Sequence, residues 1–549
     1  MASSKLILAL LLCFMMHTCF GQASKYDLSA PTDLKQTGWN KVLCMNNGNT
    51  LLFNFDRNKP VIVKVFDSLH KEVASERHTC SLLDIMHLET MEFKGLYEIG
   101  GEAVLFLEQE HQGKPRLIML RFDGVNGKLI EEKPAGESQS MAKKTQFYVM
   151  KNREDSGYAI LFCTDVPQFK QCNLHVTYYN SMREQIKDVP LDVDRKKYDY
   201  LFVVGSESLP DGISITLNLT ILVTNQTVSS VSPEKAIYDH HIAMYFIPTE
   251  TGKVSKSVVD VSTDVYPNYA KATINPFAKT INLLLYSYRQ IRYRFGLNLQ
   301  RGSVSDNLFF ISDRETGGVK LNYVKNDLVT SYLREKTDTS KIFYGVPLAM
   351  FTNDNGLSTV ITESYERYDE PETRVRYNHY THLGNIGITQ LNDDGSELWG
   401  TLLPHAECFK SYQRFYHPIE FAKKREIGYP FYDLPEQDYE RQFLSLNTYS
   451  YNRNIFVVYN DYDKNFNDSI GQSGDTVYTF EHTNACYYKL DRKRVVTKHH
   501  LYGAPSQNEY ACSFLEGADF DNKKGVYASL VQYTKEGDVS LRMAWVHLD

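Results

Sequence analysis

The chain has 549 residues, of which 42% are hydrophobic and 13% aromatic, so it contains enough apolar material for a large folded core. Its formal net charge is −7, with acidic and basic residues intermixed. This balance excludes the strongly basic surface that nucleic-acid binding requires, and we expect no nucleic-acid partner.

The first 22 residues have the order of a secretory signal peptide. Lys5 supplies the positive charge, and Leu6 to Phe20 is mostly apolar, before a run of small residues. We predict that residues 1–22 are a signal peptide and that the protein is exported to the periplasm, the outer-membrane surface or the exterior. A lipid anchor on Cys19 is the alternative. No later apolar run reaches the roughly 18 residues that a membrane span needs, so no span is expected.

The remaining sequence repeats one pattern: an apolar strand, a turn rich in Asp, Thr or Gly, and a short strand. Alternation of apolar and polar residues between such turns predicts antiparallel hairpins, and four strands per unit is the pattern of a propeller blade. We predict an all-β fold over residues 23–549, a single β-propeller domain of eight blades, each of four antiparallel strands. Seven blades are the alternative.

The last unit has no clear fourth strand. Tyr26 to Lys35, just after the predicted signal peptide, has no other sheet to join. We therefore predict that the chain ends meet in one blade and close the ring, which also removes the exposed sheet edges.

Two insertions interrupt the repeat, at about 324–344 and 405–443. In the first, the spacing of apolar residues predicts one short helix over Asn326 to Asp338. The second is charged and aromatic. We expect most of its rings to dock on the propeller, because burying each one contributes roughly 1.5–3 kcal/mol. Long loops on a rigid scaffold are also where binding residues concentrate.

Seven cysteines follow the predicted signal peptide, an odd number at low density. No disulfide framework is expected to hold the fold. We predict buried free thiols, with pairing of Cys163 and Cys172 across a hairpin turn as the alternative. No Cys/His spacing indicates zinc.

Several short segments of the sequence match the pattern of a known group of proteins. They are Glu363-Ser364-Tyr365, Asn385-Ile386-Gly387-Ile388-Thr389, Asp394-Gly395 with Trp399, and Val458-Tyr459-Asn460-Asp461, together with Trp39 to Leu43 and Asn47 to Thr50. In these phrases the chain resembles a group of uncharacterised exported, β-propeller-like proteins of Bacteroidota-type bacteria. The resemblance covers most of the predicted domain. It implies a fold and export but no activity, because the group has no assigned function.

The usual catalytic signatures are missing from the sequence: it has no nucleophile elbow, zinc-protease motif or nucleotide-binding glycine loop. Gly395 and Trp399 share the glycine-to-tryptophan spacing of quinoprotein propeller repeats, but only this unit keeps the tryptophan. We therefore expect no cofactor, and interpret this phrase as a turn followed by a tryptophan packed between blades.

Acidic and aromatic residues of the two elaborated regions, 363–380 and 405–443, are the candidate ligand-binding residues. They are Glu363, Tyr365, Tyr368, Tyr412 and Tyr416. Carboxylates beside aromatic rings suit the binding of sugars, and paired carboxylates suit glycosidic acid–base chemistry. A solvated hairpin end is the purely structural interpretation of the first region.

We predict an exported, non-catalytic binding or scaffold propeller, with a glycan or another cell-envelope protein as partner. The alternative function is a carbohydrate-active enzyme, a glycoside hydrolase or lyase that uses acidic loop residues.

One segment resembles the start of a calcium loop. Asp461, Asp463 and Asn465 place side-chain oxygens at alternate positions. Phe466 replaces the glycine of the sixth position, and Gln472 replaces the final glutamate. A polar hairpin connection is therefore the expected structure and a weak calcium site the alternative. No other metal site is predicted.

Overall fold

The chain folds into eight antiparallel β-sheets arranged as the blades of a ring, as seen in a computed structural model. The structure describes residues 25–34, 39–55, 61–84, 91–138, 144–151, 157–166, 171–226, 235–261, 265–295, 298–314, 316–371, 377–411, 443, 446–471 and 474–548. At the tips of three long hairpins the description covers the backbone alone.

The strands of the first four blades follow the N-terminal strand β1 (Tyr26–Leu28) in chain order. Blade 1 contains β2 (Trp39–Cys44), β3 (Thr50–Phe55), β4 (Val61–Phe66) and β5 (Glu72–His78). Blade 2 contains β6 (Glu92–Ile99), β7 (Glu102–His111), β8 (Lys114–Asp123) and β9 (Leu129–Glu137). Blade 3 contains β10 (Lys144–Met150), β11 (Tyr158–Val166), β12 (Gln171–Tyr179) and β13 (Gln185–Pro190). Blade 4 contains β14 (Tyr200–Leu209), β15 (Gly212–Gln226), β16 (Lys235–Pro248) and β17 (Ser255–Val261).

The second half of the ring carries the additional elements. Blade 5 contains β18 (Val265–Asn275), β19 (Thr280–Phe295), β20 (Asn298–Asp313) and β21 (Val319–Val324), and helix α1 (Asp327–Thr337) follows it. Blade 6 contains β22 (Gly345–Thr352), β23 (Ser358–Pro371), β24 (Tyr377–Leu391) and β25 (Glu397–Leu403), with β26 (Glu407–Ser411) added to β24. Blade 7 contains β27 (Leu446–Tyr451), β28 (Asn454–Asp461), β29 (Asn484–Leu490) and β30 (Val496–His500). Blade 8 contains β31 (Glu509–Ser513), β32 (Asp519–Asp521), β33 (Val526–Lys535) and β34 (Asp538–His547).

The two ends of the described chain meet in blade 8. Strand β1 pairs antiparallel with β34, from Tyr26 opposite Val546 to Leu28 opposite Ala544, and supplies the outermost strand of the blade. Trp545 is buried there, with the His70 ring of blade 1 stacked on it at a centroid distance of 4.2 Å. The predicted eight-bladed propeller, closed by the chain ends, is confirmed.

The apolar core is divided among the interfaces between blades. Each of the eight junctions between neighbouring blades has its own cluster of buried residues. Between blades 1 and 2, for example, Phe53 and Phe122 meet edge to face at 5.2 Å. Because apolar residues of both faces of the second and third strands are covered by adjacent blades, β3 and β4 are buried along their whole length.

One face of the ring, which we call the turn face, carries the connections from first to second and from third to fourth strand. In blades 1, 2, 3, 5 and 7 the latter connections share one feature, an Asp or Asn side chain that accepts backbone hydrogen bonds. Asp67 of blade 1 accepts hydrogen bonds from the backbone N–H groups of Leu69 and Lys71, and Asp491 of blade 7 accepts them from Lys493 and Val495. These are the Asp-rich turns that the sequence pattern predicted.

The predicted turn before Trp399 is closed by a backbone hydrogen bond from Asn392 to Ser396 at 2.9 Å, and the Asp394 carboxylate accepts from the Ser396 N–H. Gly395 adopts a φ of 84°, in the left-handed region that glycine tolerates best. Trp399 is half-buried and packs against the cluster between blades 6 and 7. The packing expected from the sequence is therefore confirmed.

The opposite face, which we call the hairpin face, carries the connections from second to third strand. Successive strands of a blade alternate in direction, so all of these hairpins project from the same side of the ring. In blades 4, 5 and 6 they are long, spanning Gly212–Pro248, Thr280–Asp313 and Ser358–Leu391. In blade 1 the same two strands have only six residues each.

The two predicted insertions also lie on the hairpin face, because they connect the last strand of one blade to the first of the next. Helix α1 confirms the predicted short helix. Of the segment 405–443, the structure describes residues 405–411 and 443, and Phe409 and Phe443 are buried in the cluster between blades 8 and 1, as docking predicts. The rest of this segment and the predicted signal peptide lie outside the described residues.

The disulfide content and the helix content of the described chain agree with the sequence-based expectations. None of the seven described cysteines is in a disulfide, so the alternative of a Cys163–Cys172 bridge is not formed. Within the described ranges, the structure has no helix with the length and apolar character needed to cross a bilayer.

Candidate functional site

The candidate site lies on the hairpin face where blade 6 meets blade 7. Three chain segments change register at the same level of blade 6. Strand β23 bulges after Glu363, and the paired strand β24 bulges at residues 384–385. The third segment, residues 404–406, leaves β25 and returns to β24 as β26. A bulge interrupts the regular pairing of a strand and can redirect the side chains beside it.

These bulges bring Glu363, His405 and Glu407 together. The imidazole Nε2 of His405 lies 3.4 Å from the Glu363 carboxylate and 3.5 Å from the Glu407 carboxylate. The side chains are at most 1% exposed. We call this group the carboxylate–histidine cluster.

The electrostatics of the cluster favour a charged histidine. Burial alone lowers the pKa of His405, but the two carboxylates outweigh it and raise the pKa to about 10. His405 is therefore an imidazolium at neutral pH, held between two carboxylates in a water-poor interior. Such a triad is stable only as a unit, since removal of one partner leaves an uncompensated buried charge.

Aromatic residues of blade 7 cover the cluster. The Tyr459 ring packs edge to face on His405 at 5.2 Å and stacks on Tyr488, also at 5.2 Å. The Tyr488 hydroxyl donates a hydrogen bond to the carbonyl oxygen of Pro404 at 3.0 Å. Blade 7 also pairs directly with this segment through a parallel bridge between Glu407 and Val477. The cluster thus fastens two blades together.

The predicted calcium segment lies next to this layer and is occupied by protein groups. The Lys498 ammonium lies 3.2 Å from the Asp461 carboxylate and donates to the Asn465 carbonyl at 3.0 Å. Asn465 also donates to Asp461 at 2.8 Å, and Asn484 donates to Asp463 at 2.8 Å. Lysine thus supplies positive charge at this segment. Among the described residues, no group of three or more His, Cys, Asp and Glu is arranged to hold a metal ion.

The predicted ligand-binding residues whose side chains the structure describes do not form one group. Glu363 is fully buried in the carboxylate–histidine cluster. Tyr365 is half-buried against Tyr269 and Tyr286 of blade 5. Tyr368 lies on the outer part of β23, where the description covers the backbone alone, and Tyr412 and Tyr416 lie outside the described residues. For these three residues, ligand binding stays a prediction.

Sequence reasoning missed His405 and Glu407 as partners of Glu363. Their spacing of two residues is a weak indication, because it places both side chains on one face of an extended segment. Their meeting with Glu363 depends on the pairing of β26 with β24, which the sequence pattern does not reveal.

The cluster can hold the blades together and keep one proton, but its carboxylates do not reach solvent. A general acid or base must come within hydrogen-bonding distance of the substrate. The described geometry therefore suits fastening and positioning of the hairpins rather than acid–base chemistry at this cluster.

Comparison with known proteins identifies no family. No protein-family model matches the chain, and no curated protein matches it. Among solved structures, it is similar to a post-proline cleaving enzyme from Rickettsia typhi, with 12% identity over 92% of this chain and a TM-score of 0.33. The chain spans 58% of the length of that enzyme.

Two further similarities are at the same distant level. One is to the GH43 endo-arabinanase from Bacillus licheniformis, with 10% identity over 51% of this chain and 96% of that one and a TM-score of 0.23. The other is to the WD40 domain of SCAP from fission yeast, with 7% identity over 71% and 91% of the two chains and a TM-score of 0.23.

Proposed function

We propose that this chain is an exported, non-catalytic binding or scaffold propeller that recognises a glycan or another envelope protein through its hairpin face. The observation that carries the proposal is the extension of three consecutive hairpins, in blades 4, 5 and 6, on one side of an otherwise regular ring. Elaborated loops on a rigid scaffold are the usual place for recognition.

The hairpins are built to hold a fixed shape at their base. Strands β19 and β20 stay in continuous register from Thr280 opposite Asp313 to Phe295 opposite Asn298. The blade 6 hairpin is braced by β26 and by the carboxylate–histidine cluster. A preorganised hairpin loses less conformational freedom on binding, which favours affinity.

The composition of these hairpins supports a polar ligand. Residues 288–305 contain four arginines and no acidic residue, and residues 363–380 contain four tyrosines. Arginine and tyrosine are enriched at binding surfaces, and tyrosine offers both an apolar ring and a hydroxyl group. Glycans and envelope proteins both present such polar surfaces.

A binding role is favoured over catalysis because Glu363, one of the acidic loop residues that the enzyme alternative would use, is engaged with a histidine inside the protein. The experiment is a glycan array with the purified protein, followed by incubation with each bound glycan and analysis of the products. Binding without new reducing ends is the expected result. New reducing ends would support a carbohydrate-active enzyme instead.

A hairpin variant tests the face itself. Replacing residues 289–304 by Asn-Gly keeps the pairing of Tyr288 with Ser305 and supplies a favoured two-residue turn. We expect the melting temperature to stay within a few degrees while binding to the array is lost. The matched control replaces residues 111–114, the short hairpin tip of blade 2, in the same way and should keep binding. Retained binding in the blade 5 variant would contradict the proposal that this face binds the ligand.

Export is part of the proposal and has its own test. The order of charged, apolar and small residues at 1–22 supports it. N-terminal sequencing of the protein from the producing cells should find a chain that begins near residue 22. A chain that begins at Met1 would contradict export through this segment.

A further inference from the structure

A cationic cavity opens on the turn face, between blades 6 and 7 and opposite the proposed binding hairpins. It encloses about 370 Å³. Its walls come from the turn at 353–357 of blade 6 and from two turns of blade 7, at Arg453 and at Asp491 to Arg494. Ile455 and Leu490, which are buried, form part of its apolar floor.

The charges around this cavity are unbalanced. Four cationic side chains line it: Arg453, Arg492, Lys493 and Arg494. Arg453 pairs with Asp354 at 2.9 Å, and Arg494 donates to the amide oxygen of Gln390 at 3.0 Å. Within the described part of the chain, Arg492 and Lys493 form no ion pair, and both are exposed. The Asp491 carboxylate already accepts two backbone hydrogen bonds within its own turn.

This concentration of positive charge is particular to blade 7. The corresponding turns of blades 1, 2 and 6 read Asp67-Ser-Leu-His-Lys, Asp123-Gly-Val-Asn-Gly-Lys and Asn392-Asp-Asp-Gly-Ser. The backbone hydrogen bond that closes this turn, from the N–H of Asp491 to the carbonyl of Val495, also forms in blades 1 and 6, where no run of cations is present. Closing the turn therefore does not require three consecutive cations.

Arg453 is a second residue beside the cavity whose charge is not explained by the needs of the turn. Asn452 and Arg453 join β27 to β28 and have φ angles of 48° and 62°. A two-residue turn with both φ angles positive prefers Asn-Gly, since a side chain at the second position is unfavourable. Arginine at this position is therefore less favourable for the turn than glycine, but it brings a guanidinium group to the cavity.

We propose that this cavity binds a sulfate or phosphate ester of a saccharide. Arginine offers a planar fork of N–H donors that matches the oxygens of such an ester, and lysine adds a point charge. The amide and hydroxyl groups of Asn355, Gln390 and Ser450 at the wall suit the hydroxyl groups of the attached sugar. The volume lies in the range of small-ligand sites.

The test measures binding calorimetrically at low and at moderate ionic strength. The probes are galactose 6-sulfate, galactose 6-phosphate, galactose, and inorganic sulfate and phosphate. We expect one or both sugar esters to bind, more weakly as salt rises, and galactose not to bind. Which ester binds more tightly identifies the source of the oxyanion. Binding of the inorganic anions alone would overturn the saccharide part of the proposal.

Two variants locate the site. Arg453→Gly restores the preferred turn sequence, so its melting temperature should be equal or higher, yet ester binding should fall at least tenfold. The double variant Arg492→Ala/Lys493→Ala should lose binding to a similar extent. The matched control, Lys71→Ala/Lys128→Ala, removes two exposed cations from the corresponding turns of blades 1 and 2 and should keep binding.

The proposal would be overturned if Arg453→Gly and Arg492→Ala/Lys493→Ala bound the esters as tightly as the unaltered protein does. It would also be overturned if the unaltered protein bound no ester. The result is independent of the hairpin face, because the Asn-Gly replacement of 289–304 leaves this cavity unchanged.

Discussion

The turn face repeats one small set of hydrogen bonds, whereas the hairpin face changes from blade to blade. In blades 1, 2, 3, 5 and 7 an Asp or Asn side chain accepts a hydrogen bond from a backbone N–H two to four residues later in the same turn. On the other side, the hairpin strands grow from six residues in blade 1 to sixteen in blade 5.

The difference reflects how far apart in the sequence the stabilising groups lie. A turn on the turn face is complete within about five residues, so each blade forms its own. The hairpin face of blade 6 depends on Glu363, His405 and blade 7 residues such as Tyr459 at once. The turns of one face are closed by local hydrogen bonds, whereas blade 6 on the other face depends on contacts between distant segments, and substitutions should separate the two.

The largest effect is expected from removal of the longest-range contact, the strand β1. A chain that begins at residue 36, compared with one that begins at residue 25, loses the pairing with β34 and the packing of Leu28. We expect it to be less stable by about 5 kcal/mol or more, since several hydrogen bonds and buried side chains are lost together. Thermal unfolding and light scattering would show lower melting and aggregation through the uncovered edge of β34. Unchanged melting would mean that the ring closes without β1.

The next largest effect is expected at the carboxylate–histidine cluster. His405→Gln leaves two buried carboxylates without a positive partner, and we expect a loss of about 3–5 kcal/mol in the free energy of unfolding. Chemical denaturation measures it. His111→Gln, at the hairpin tip of blade 2, is the control and should change little. A loss below 1 kcal/mol for His405→Gln would show that blades 6 and 7 do not depend on this ion triad.

The pH dependence should be smaller and specific to the same residue. The pKa of His405 is raised to about 10, above its ordinary value of about 6.5. Its contribution to stability is therefore complete below about pH 6.5 and is lost as the pH rises through about 10. The stability difference between the unaltered protein and His405→Gln should shrink between pH 7 and pH 10. An equal difference at both values would argue against a charged His405.

The smallest effect is expected on the turn face. Lys279 is exposed and has a φ of 54°, in the left-handed region. Lys279→Gly should increase the free energy of unfolding by about 0.5–1 kcal/mol, since glycine adopts this conformation without a clash. Lys279→Ala, which keeps the Cβ atom, is the control and should bring no gain. A loss of stability on Lys279→Gly would mean that the lysine side chain contributes more than its backbone costs.

The sequence was sufficient for those parts of the fold that arise locally. Period-2 alternation and Asp-rich turns predict the blades, and the apolar spacing near Leu328 predicts α1. Closure by the N-terminal strand followed from counting strands, since the last unit lacked one. Packing of Trp399 between blades followed from the turn that precedes it.

The candidate site was predicted only in part. Glu363 appeared as an exposed acidic residue because its neighbours in sequence are polar. Its burial depends on a bulge in β23 and on a histidine some forty residues later, which returns to the sheet through β26. Pairing between segments this far apart follows from the three-dimensional register rather than from any local pattern.

Because the chain ends meet in blade 8, the ring does not require the chain to begin and end in that blade. The backbone N–H of His547 donates to the carbonyl of Lys25 at 3.0 Å, so a short peptide suffices to join residue 548 to residue 25. New ends opened in an exposed turn, such as that at Val125, would give a circularly permuted chain with the same ring. In that chain a peptide bond connects β34 to β1 in blade 8. The blade that contains the new chain ends is then the one closed by strand pairing alone.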